Sequence, residues 1–365
     1  MMRKLLVLLE GGLLLAGLVL GLAAWEQHRA LQQPLQLTEE RLLDAPTGAT
    51  PGGLLARLQD EDVLHGAFWL RLYWRFNLAG EALHSGEYRL KPGMTAAELL
   101  DSWRDGDVVQ YGLTLVEGWT FRQVRELLAR QPKLGQTLVG LSDSEVMARL
   151  GKPGVFPEGR FFPDTYRFVR GSKDVDLLKQ AYQRMDNILA EEWDKREPDL
   201  PYKDSYQALI MASLVEKETG VPQERGQIAG VFVRRLQKNM LLQTDPTVIY
   251  GMGSRYSGRI TRTDLREATP YNTYVIAGLP PTPIALPGRE AIHAALNPVP
   301  GQSLYFVARG DGSHAFSDNL DDHNRAVQAF QLKRRADYRS SPAPIPLPAP
   351  VSAPNAPAGD VPAAQ

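Results

Sequence analysis

The longest apolar segment lies at the start of the chain. Residues 5–25 form a nearly unbroken apolar run, and about 20 such residues cross the hydrocarbon core of a bilayer as a helix. Arg3 and Lys4 precede the run, and basic residues are retained on the cytoplasmic side of a membrane. The pattern predicts a single-pass transmembrane helix over 5–25, with residues 1–4 in the cytoplasm and the remaining chain on the other side.

A cleaved signal peptide is the alternative interpretation of this run. Gly21 and Ala23 are small residues of the kind that precede a cleavage site. However, the run is longer than the apolar core of a typical signal peptide, and it ends in the bulky Trp25. These two features favour an uncleaved membrane anchor.

A second apolar pattern, over 205–220, has the period of a helix. The stretch reads SYQALIMASLVEKETG, and Gly220 and Pro222 supply the usual stop at its C-terminal end. Two carboxylates, Glu216 and Glu218, lie in the last turn. The remaining chain is interpreted around this predicted helix.

Glu218 lies near the middle of the apolar face of that helix. At about 100° per residue it shares an arc with Leu214 and Val215, whereas Glu216 projects roughly 200° away. Burial and the negative end of the helix dipole both disfavour a charged carboxylate there. Such conditions turn a glutamate into a general acid near neutral pH. Two glutamates at the surface end of an ordinary helix are the alternative.

Two segments between the anchor and this helix share one pattern of strand, glycine turn and helix. Strands are predicted at 86–90 and 110–116, and each leads into a capping box, Thr95 with Glu98 and Thr120 with Gln123. Consecutive strand–helix units indicate a small α+β module. A structural spacer and a carbohydrate-binding module fit the pattern equally well.

The rest of the chain is helix-rich, with polar loops between the helices. Helical patterns occupy 52–64, 67–76, 174–193 and 225–237, a short helix opens at Ser142, a short strand is predicted at 35–38, and a hairpin turns at 310–312. Loop-like stretches at 158–166, 243–251, 269–274 and 278–288 are dense in proline, aromatic and polar residues. Binding groups concentrate on loops held by a rigid scaffold, so these loops are candidates for a polar-ligand site.

Composition excludes several classes of protein. A formal net charge of −1 over 365 residues argues against a general nucleic-acid binder, which would be strongly basic. The chain has no cysteine, and its six histidines show no ligand spacing. We therefore expect no metal and no cofactor. Residues 336–365 are dominated by proline and alanine and are predicted to be a disordered tail.

Five stretches in the same order resemble the YceG-like endolytic murein transglycosylases. They are EGRFFPDTY at 158–166, ASLVEKET at 212–219, LQTDPTVIYG at 242–251, TPYNTY at 269–274 and GLPPTPI at 278–284. The resemblance covers nearly the whole chain except the tail. It implies an α+β fold with one transmembrane helix (5–25), a membrane-proximal region with a LysM-like module (26–135) and a helix-rich catalytic domain with short strands (136–335).

The resemblance implies an enzyme that cuts peptidoglycan glycan strands between N-acetylmuramic acid and N-acetylglucosamine and leaves 1,6-anhydro ends. The family's catalytic glutamate matches Glu218, and Glu216 is assigned a supporting role. The residues expected to hold the glycan are Gln243, Asp245, Tyr250, Tyr271, Asn272 and Glu158. The expected location is the inner membrane with a periplasmic catalytic domain, and the expected partners are glycan strands and peptidoglycan synthases.

Two other functions remain open from the residues. A lysozyme-like hydrolase would ordinarily pair Glu218 with a second carboxylate, set about 5 Å or about 6.5–9.5 Å away, and Asp245, Glu158 and Asp164 are candidates. A membrane-anchored scaffold that binds peptidoglycan without cutting it is the other alternative. A pure binder would have no use for an acid at the buried end of a helix.

Overall fold

The elements of the first compact unit follow from local sequence signals. In the computed structural model, which describes residues 2–332, this unit extends to Tyr111 and includes Lys133–Gly135 and Arg167–Ser172. Its main elements are α1 (Met2–Gln32), β1 (Arg41–Ala45), α2 (Pro51–Asp60), α3 (Ala67–Asn77), β2 (Gly86–Leu90) and α4 (Ala96–Asp105).

Helix α1 contains the apolar run and continues beyond it. Within the described residues it is the one helix long and apolar enough to cross a membrane. Its apolar side chains from Leu9 to Leu22 are largely exposed in the folded chain. The helix ends at Gln32, two residues before Pro34, whose ring cannot continue a helix.

The first unit is built on one antiparallel strand pair. Strand β1 pairs with β2 from Arg41 opposite Leu90 to Ala45 opposite Gly86, and α2 and α3 connect the two strands. Leu43, Tyr88 and Trp103 are fully buried in its core. The strand predicted at 35–38 is wrong, because this segment makes only single backbone hydrogen bonds to Met94 and Val63, while the chain forms its strand at 41–45.

Local capping signals fix the starts of three short helices. Each has a side chain that accepts from the third backbone N–H and a partner that reaches back to the cap, which satisfies free donors at the helix start. The pairs are Thr95 with Glu98 before α4, Thr120 with Gln123 before α5 (Phe121–Ala129), and Ser142 with Glu145 before α6 (Asp143–Arg149). Because α4 and α5 fall in different compact units, the two strand–helix segments do not make up one of these units.

A second strand pair and a helical core make up the rest. Strands β3 (Gln110–Thr114) and β4 (Thr165–Val169) pair with each other. The second unit holds most of the remaining described chain, namely α5, α6, α7 (Asp174–Asp194), α8 (Ser205–Glu218), α9 (Arg225–Gln237), α10 (Asp245–Met252), α11 (Arg289–Leu296), β5 (Tyr305–Ala308), β6 (His314–Ser317) and α12 (Leu320–Val327), followed by a π-helical turn over Gln328–Leu332.

Helix α8 lies at the centre of the second unit. Every residue from Ala208 to Val215 is buried, and α7, α9, α10 and α11 all pack against the helix. A helix that is apolar all round is a core helix. The charged residues of α8, Glu216, Lys217 and Glu218, accordingly lie in its last turn. The end of α8 that carries Glu218 is therefore held by the core of the unit.

The sequence prediction missed three α-helices of this unit, α10, α11 and α12. The stretch 243–251 was expected to be a loop, but α10 begins at Asp245 with Pro246 in its first turn. Proline is well tolerated there because the first N–H groups of a helix have no partner within it. Helix α11 follows directly on the proline-rich stretch 278–288. The hairpin at 310–312 is confirmed between β5 and β6, and the predicted tail 336–365 lies outside the described residues.

Candidate active site

Glu218 is the last residue of α8, and the chain leaves the helix immediately after it. The next residue, Thr219, is extended and buried. Its hydroxyl accepts from the N–H of Val221 at 2.9 Å, which fixes the turn out of the helix. Glu218 itself is half-buried.

Thr244 positions the Glu218 carboxyl group. The Thr244 hydroxyl donates a hydrogen bond to Oε1 of Glu218. The Thr244 N–H in turn donates to Oγ1 of Thr273 at 3.0 Å, and Thr247 Oγ1 lies 2.9 Å from the same Thr273 oxygen. Because these threonines are buried, the network holds one Glu218 oxygen in a defined orientation.

Asp245 is the second carboxylate near Glu218. It is the first residue of α10, and its Oδ1 accepts a hydrogen bond of 2.6 Å from the Tyr274 hydroxyl. On the other side, the buried guanidinium of Arg235 donates to the carbonyl oxygen of Leu304 at 2.6 Å and to that of Leu242 at 2.9 Å. A negative and a positive group thus both act on the Glu218 carboxyl.

Burial raises the pKa of Glu218 to about 7. The hydrogen bond from Thr244 lowers this pKa, the charge of Asp245 raises it, and the charge of Arg235 lowers it. Desolvation disfavours the charged form of a carboxyl group. A carboxyl with a pKa near 7 can both donate and accept a proton at neutral pH, which is what general acid–base catalysis needs.

Glu158 lies in a separate polar cluster of the second unit. Its Oε1 accepts from the backbone N–H of Phe121 at 2.8 Å, and its Oε2 accepts from the Tyr250 hydroxyl at 2.9 Å. The Tyr250 ring packs edge-on against Tyr271, with centroids 4.9 Å apart. Within the part of the chain that the structure describes, no hydrogen bond joins Glu158 to Glu218. Burial raises the pKa of Glu158 to about 7.

We expect Glu158→Gln to make stability less dependent on pH. In the wild type the raised pKa of this carboxyl stabilises the fold fully below about pH 4.5, and that contribution is lost as the pH rises to about 7. Glutamine matches the neutral acid and does not titrate. Chemical unfolding at pH 4.5 and pH 8 should show the variant gaining on the order of 3 kcal/mol relative to wild type at the higher pH. An unchanged difference between the two proteins would contradict the assignment.

Glu216 contacts the proline-rich stretch and not the Glu218 carboxyl. Its Oε2 accepts from the N–H of Gly288 at 3.1 Å. Burial and the neighbouring charge of Glu117 raise the pKa of Glu216 to about 7, and Arg225 and Lys217 oppose that shift. Through Gly288, Glu216 connects the last turn of α8 to the start of α11. Its supporting role stays a prediction, and this contact fits it.

The other predicted site residues divide into two groups. Gln243 and Asp245 flank Thr244, beside Glu218, and Gln243 adopts a left-handed φ of 53°. Tyr250 and Tyr271 belong to the Glu158 cluster, and the Tyr271 hydroxyl lies 2.9 Å from Thr282 Oγ1. Asn272 is buried, and its amide donates to the carbonyl oxygens of Asp264 and Glu267. This placement favours a structural role for Asn272.

Sequence reasoning missed the groups that orient the acid. These groups are Thr244, Thr273, Tyr274 and Arg235, and three of them stand inside motifs that were already singled out, at 242–251 and 269–274. The signal available was proximity in sequence, since Thr244 lies between Gln243 and Asp245 and Thr273 follows Asn272. Among the residues that the structure describes, no group of three or more acids and histidines is placed to hold a metal ion.

Comparison with known proteins identifies a family and relatives from two bacteria. The YceG-like family model matches residues 43–329. The endolytic murein transglycosylase of Bacillus subtilis is 29% identical over 334 residues, which cover 86% of this chain and 91% of that protein. The enzyme of the same name from Streptococcus pneumoniae is 30% identical over 239 residues, covering 64% of this chain and 41% of the relative.

A solved structure supports the fold. The crystal structure of a YceG-like protein from Listeria monocytogenes superposes with a TM-score of 0.51 at 31% identity, and the match covers 79% of this chain and 99% of that one. The match to the family model, over residues 43–329, includes Glu218.

Proposed function

The chain belongs to the YceG-like family of murein transglycosylases, and we propose that it is an endolytic lytic transglycosylase with Glu218 as its acid and base. It cleaves the bond between N-acetylmuramic acid and N-acetylglucosamine within glycan strands and leaves 1,6-anhydro ends. The observation that carries this proposal is the half-buried Glu218 carboxyl, whose pKa is raised to about 7 and whose Oε1 is held by Thr244.

One carboxyl group is sufficient for this reaction. Protonated Glu218 donates its proton to the glycosidic oxygen as the bond to the muramic acid C1 breaks and an oxocarbenium-like state forms. The resulting carboxylate takes the proton of the sugar's own 6-hydroxyl while that oxygen bonds to C1 and closes the anhydro ring. The proton returned to Glu218 restores the acid for the next cycle. The raised pKa of Glu218 serves both steps, because a carboxyl group with a pKa near the working pH gives up and takes a proton at little cost in free energy.

Asp245 supports the charge that develops on the sugar. It is close enough to Glu218 to raise the pKa of that acid, and Tyr274 fixes the orientation of its carboxyl group. A preorganised negative group beside an oxocarbenium-like state lowers its energy without reorganisation during the reaction. Gln243, beside the same network, and the Tyr250–Tyr271 pair are proposed to hold the glycan.

Asp245 is also the observation that favours a second candidate, a murein hydrolase. A carboxylate near the acid could activate water or attack C1 itself, as in other glycosidases. The other acids proposed for this role are engaged elsewhere, Glu158 with Tyr250 and Asp164 with Arg184 at 2.5 Å. The product distinguishes the two reactions, because transglycosylation retains all atoms of the strand and hydrolysis adds water.

Digestion of purified murein sacculi tests the proposal. We expect muropeptides lighter by one water than the corresponding reducing-end fragments, identified by mass spectrometry before and after borohydride reduction. Only reducing ends can be reduced, so anhydro products should be unchanged by the reagent. Reducible products would indicate the hydrolase, and intact sacculi would indicate a binding scaffold.

The pH dependence of the reaction should respond to Asp245→Asn. Because the charge of Asp245 raises the pKa of Glu218, removing it lowers that pKa, and the acid loses its proton at a lower pH. We expect the alkaline limb of the kcat profile to move down by roughly one pH unit. The exposed Asp60, in the other unit, serves as a matched control as Asp60→Asn. An alkaline limb that stays in place would refute the coupling.

The strand pair of the first unit is proposed to be the LysM-like module that holds glycan. Its element order, β1, α2, α3 and β2 with an antiparallel pair, supports this proposal. The exposed apolar helix α1 supports a single membrane span with the rest of the chain in the periplasm. Cleavage of nascent strands close to that membrane would end strand elongation, and peptidoglycan synthases are the proposed partners.

A further inference from the structure

Helix α3 carries an apolar stripe that is largely exposed in the described chain. Phe68, Leu72 and Phe76 are spaced four residues apart and project from one side of the helix. Phe68 is 59% exposed and Phe76 is 73% exposed, while Leu72 is half-buried. We propose that this α3 stripe docks on the lipid headgroup surface beside helix α1. The inference rests on the proposed membrane span.

The opposite side of α3 already has its partners within the first unit. Ala67 and Leu70 are buried in its core, and Trp74 packs edge-on against the buried Trp103, with ring centroids 6.1 Å apart. The helix is therefore held in place by its buried face. The stripe is not needed for this packing, so its exposure calls for an occupant outside the unit.

The charges on α3 match an anionic surface. The helix reads AFWLRLYWRFN and contains no acidic residue. Arg71 and Arg75 flank the stripe and are exposed, and neither forms an ion pair with any other residue in the range 2–332. Arginine beside aromatic and aliphatic side chains on one helix face is the composition of a helix that lies in a membrane interface.

The start of α3 is tied to the end of α1. The side chain of Gln33 donates to the carbonyl oxygen of His65 at 2.6 Å and accepts from the His65 N–H at 2.9 Å. One residue further, Gly66 packs against Ala30, with 3.6 Å between the Ala30 methyl and the position a Gly66 side chain would occupy. These contacts place the first residue of α3 next to the last turns of α1.

The first unit reaches down α1 to the end of the apolar run. Ala30 is buried, and Ala23, Glu26 and Gln27, which lie on the same face, are partly covered. Ala23 is one of the last residues of the run 5–25, and it is about 10 Å below Ala30 along the helix axis. The folded unit therefore begins at the level where the hydrocarbon core of the bilayer would end, which is the level of the headgroups.

A lipid surface fits the stripe better than a protein partner does. Phenylalanine, leucine and tryptophan form the apolar face of helices that lie in a membrane interface, and α3 presents Phe68 and Phe76 outwards with Trp69 and Tyr73 half-buried beside them. A second copy of the chain would present the same basic helix to its partner, and two such helices repel one another. The occupant of the stripe is therefore an anionic bilayer.

Depth-dependent fluorescence quenching tests the proposal on the full chain. The chain has no cysteine, so Phe68→Cys and Phe76→Cys can each be labelled singly while the other phenylalanine is retained. Leu15→Cys reports insertion of α1, and the exposed Ala82→Cys is the control in the same unit. Each protein is reconstituted into phosphatidylcholine vesicles containing about one third phosphatidylglycerol and exposed to a lipid-borne or a water-soluble quencher.

We expect lipid-borne quenching at positions 15, 68 and 76, with position 15 deepest, and aqueous quenching at position 82. If position 15 is in lipid while 68 and 76 are in water, the docking proposal fails and the anchor stands. If position 15 is in water, both fail. Shielding of 68 and 76 from both quenchers means that protein covers the stripe, and this outcome also overturns the proposal.

Charge reversal on α3 tests the role of the two arginines independently. Arg71→Glu combined with Arg75→Glu should reduce lipid quenching at position 68, since each arginine near an anionic surface contributes roughly fivefold to the docking equilibrium. The loss should be smaller in vesicles of phosphatidylcholine alone. Unchanged quenching at position 15 and an unchanged circular dichroism spectrum show that the variant is inserted and folded. Equal quenching at position 68 with and without the arginines would refute the role of charge.

Discussion

Glu218→Gln is expected to lower kcat on murein strands by roughly 10²–10⁴-fold, the range that general acid–base catalysis contributes. Glutamine keeps the size of the side chain and can still accept the hydrogen bond from Thr244, but it cannot give up or take a proton. The fold should be preserved, because burial already favours the neutral form of this acid. Release of anhydro-muropeptides from sacculi, followed over time by chromatography, measures the effect.

Glu216→Gln is the matched control for this experiment. Glu216 lies two residues away on the same helix, its pKa is also raised to about 7 by burial, and it accepts from Gly288 rather than Thr244. The same chemical change there should cost less than about tenfold, because this carboxyl group does not contact the reacting atoms. Comparable losses in the two variants would mean that the last turn of α8, and not one acid, supports the reaction.

Gly159→Ala should produce the largest loss of stability among single-methyl changes around the site. Gly159 has a φ of +75°, and a side-chain carbon there would lie 2.5 Å from Cβ and 2.7 Å from Cγ of Pro283. A proline ring cannot rotate away. Backbone strain and overpacking together should lower the free energy of unfolding by roughly 3–5 kcal/mol, as measured by urea unfolding followed by circular dichroism.

Gly154→Ala separates the two causes of this loss. Gly154 has nearly the same φ, +78°, but nothing lies within 4 Å of the position that a side chain would take. We expect only the cost of the left-handed backbone there, roughly 1 kcal/mol. The difference between the two losses of unfolding free energy then measures how tightly the loop at Glu158 packs against the proline-rich stretch. Equal losses in both would show that this contact has no energetic weight.

The parts of this fold that sequence predicts are those determined by neighbouring residues. The capping boxes at Thr95, Thr120 and Ser142 each operate within four residues, and all three helices begin where the pattern places them. The helix that carries Glu218 was equally accessible, since an apolar run and a Gly–Pro stop are both local signals. The position of Glu218 at the helix end follows from the same information.

The contacts that surround Glu218 and Glu158 could not be predicted from neighbouring residues. Thr244 is 26 residues from Glu218, and Tyr250 is 92 residues from Glu158, so each contact depends on how helices pack. Helix α10 was missed because threonine, valine and isoleucine after Pro246 weaken the helical signal. Packing of α10 against α8 overrides that local preference. The same packing brings Thr244 to Glu218.

Helix α1 runs without interruption from its apolar segment to Gln32, and the first unit covers one of its faces from Ala23 to Ala30. With α1 as the span, a continuous helix and not a flexible linker joins this unit to the membrane. One residue inserted just before Ala23 would turn the unit by about 100° and raise it by about 1.5 Å. Seven inserted residues would restore the facing of the α3 stripe and lift it about 10 Å. The length of α1 therefore sets both the height of the first unit above the bilayer and its rotation about the helix axis.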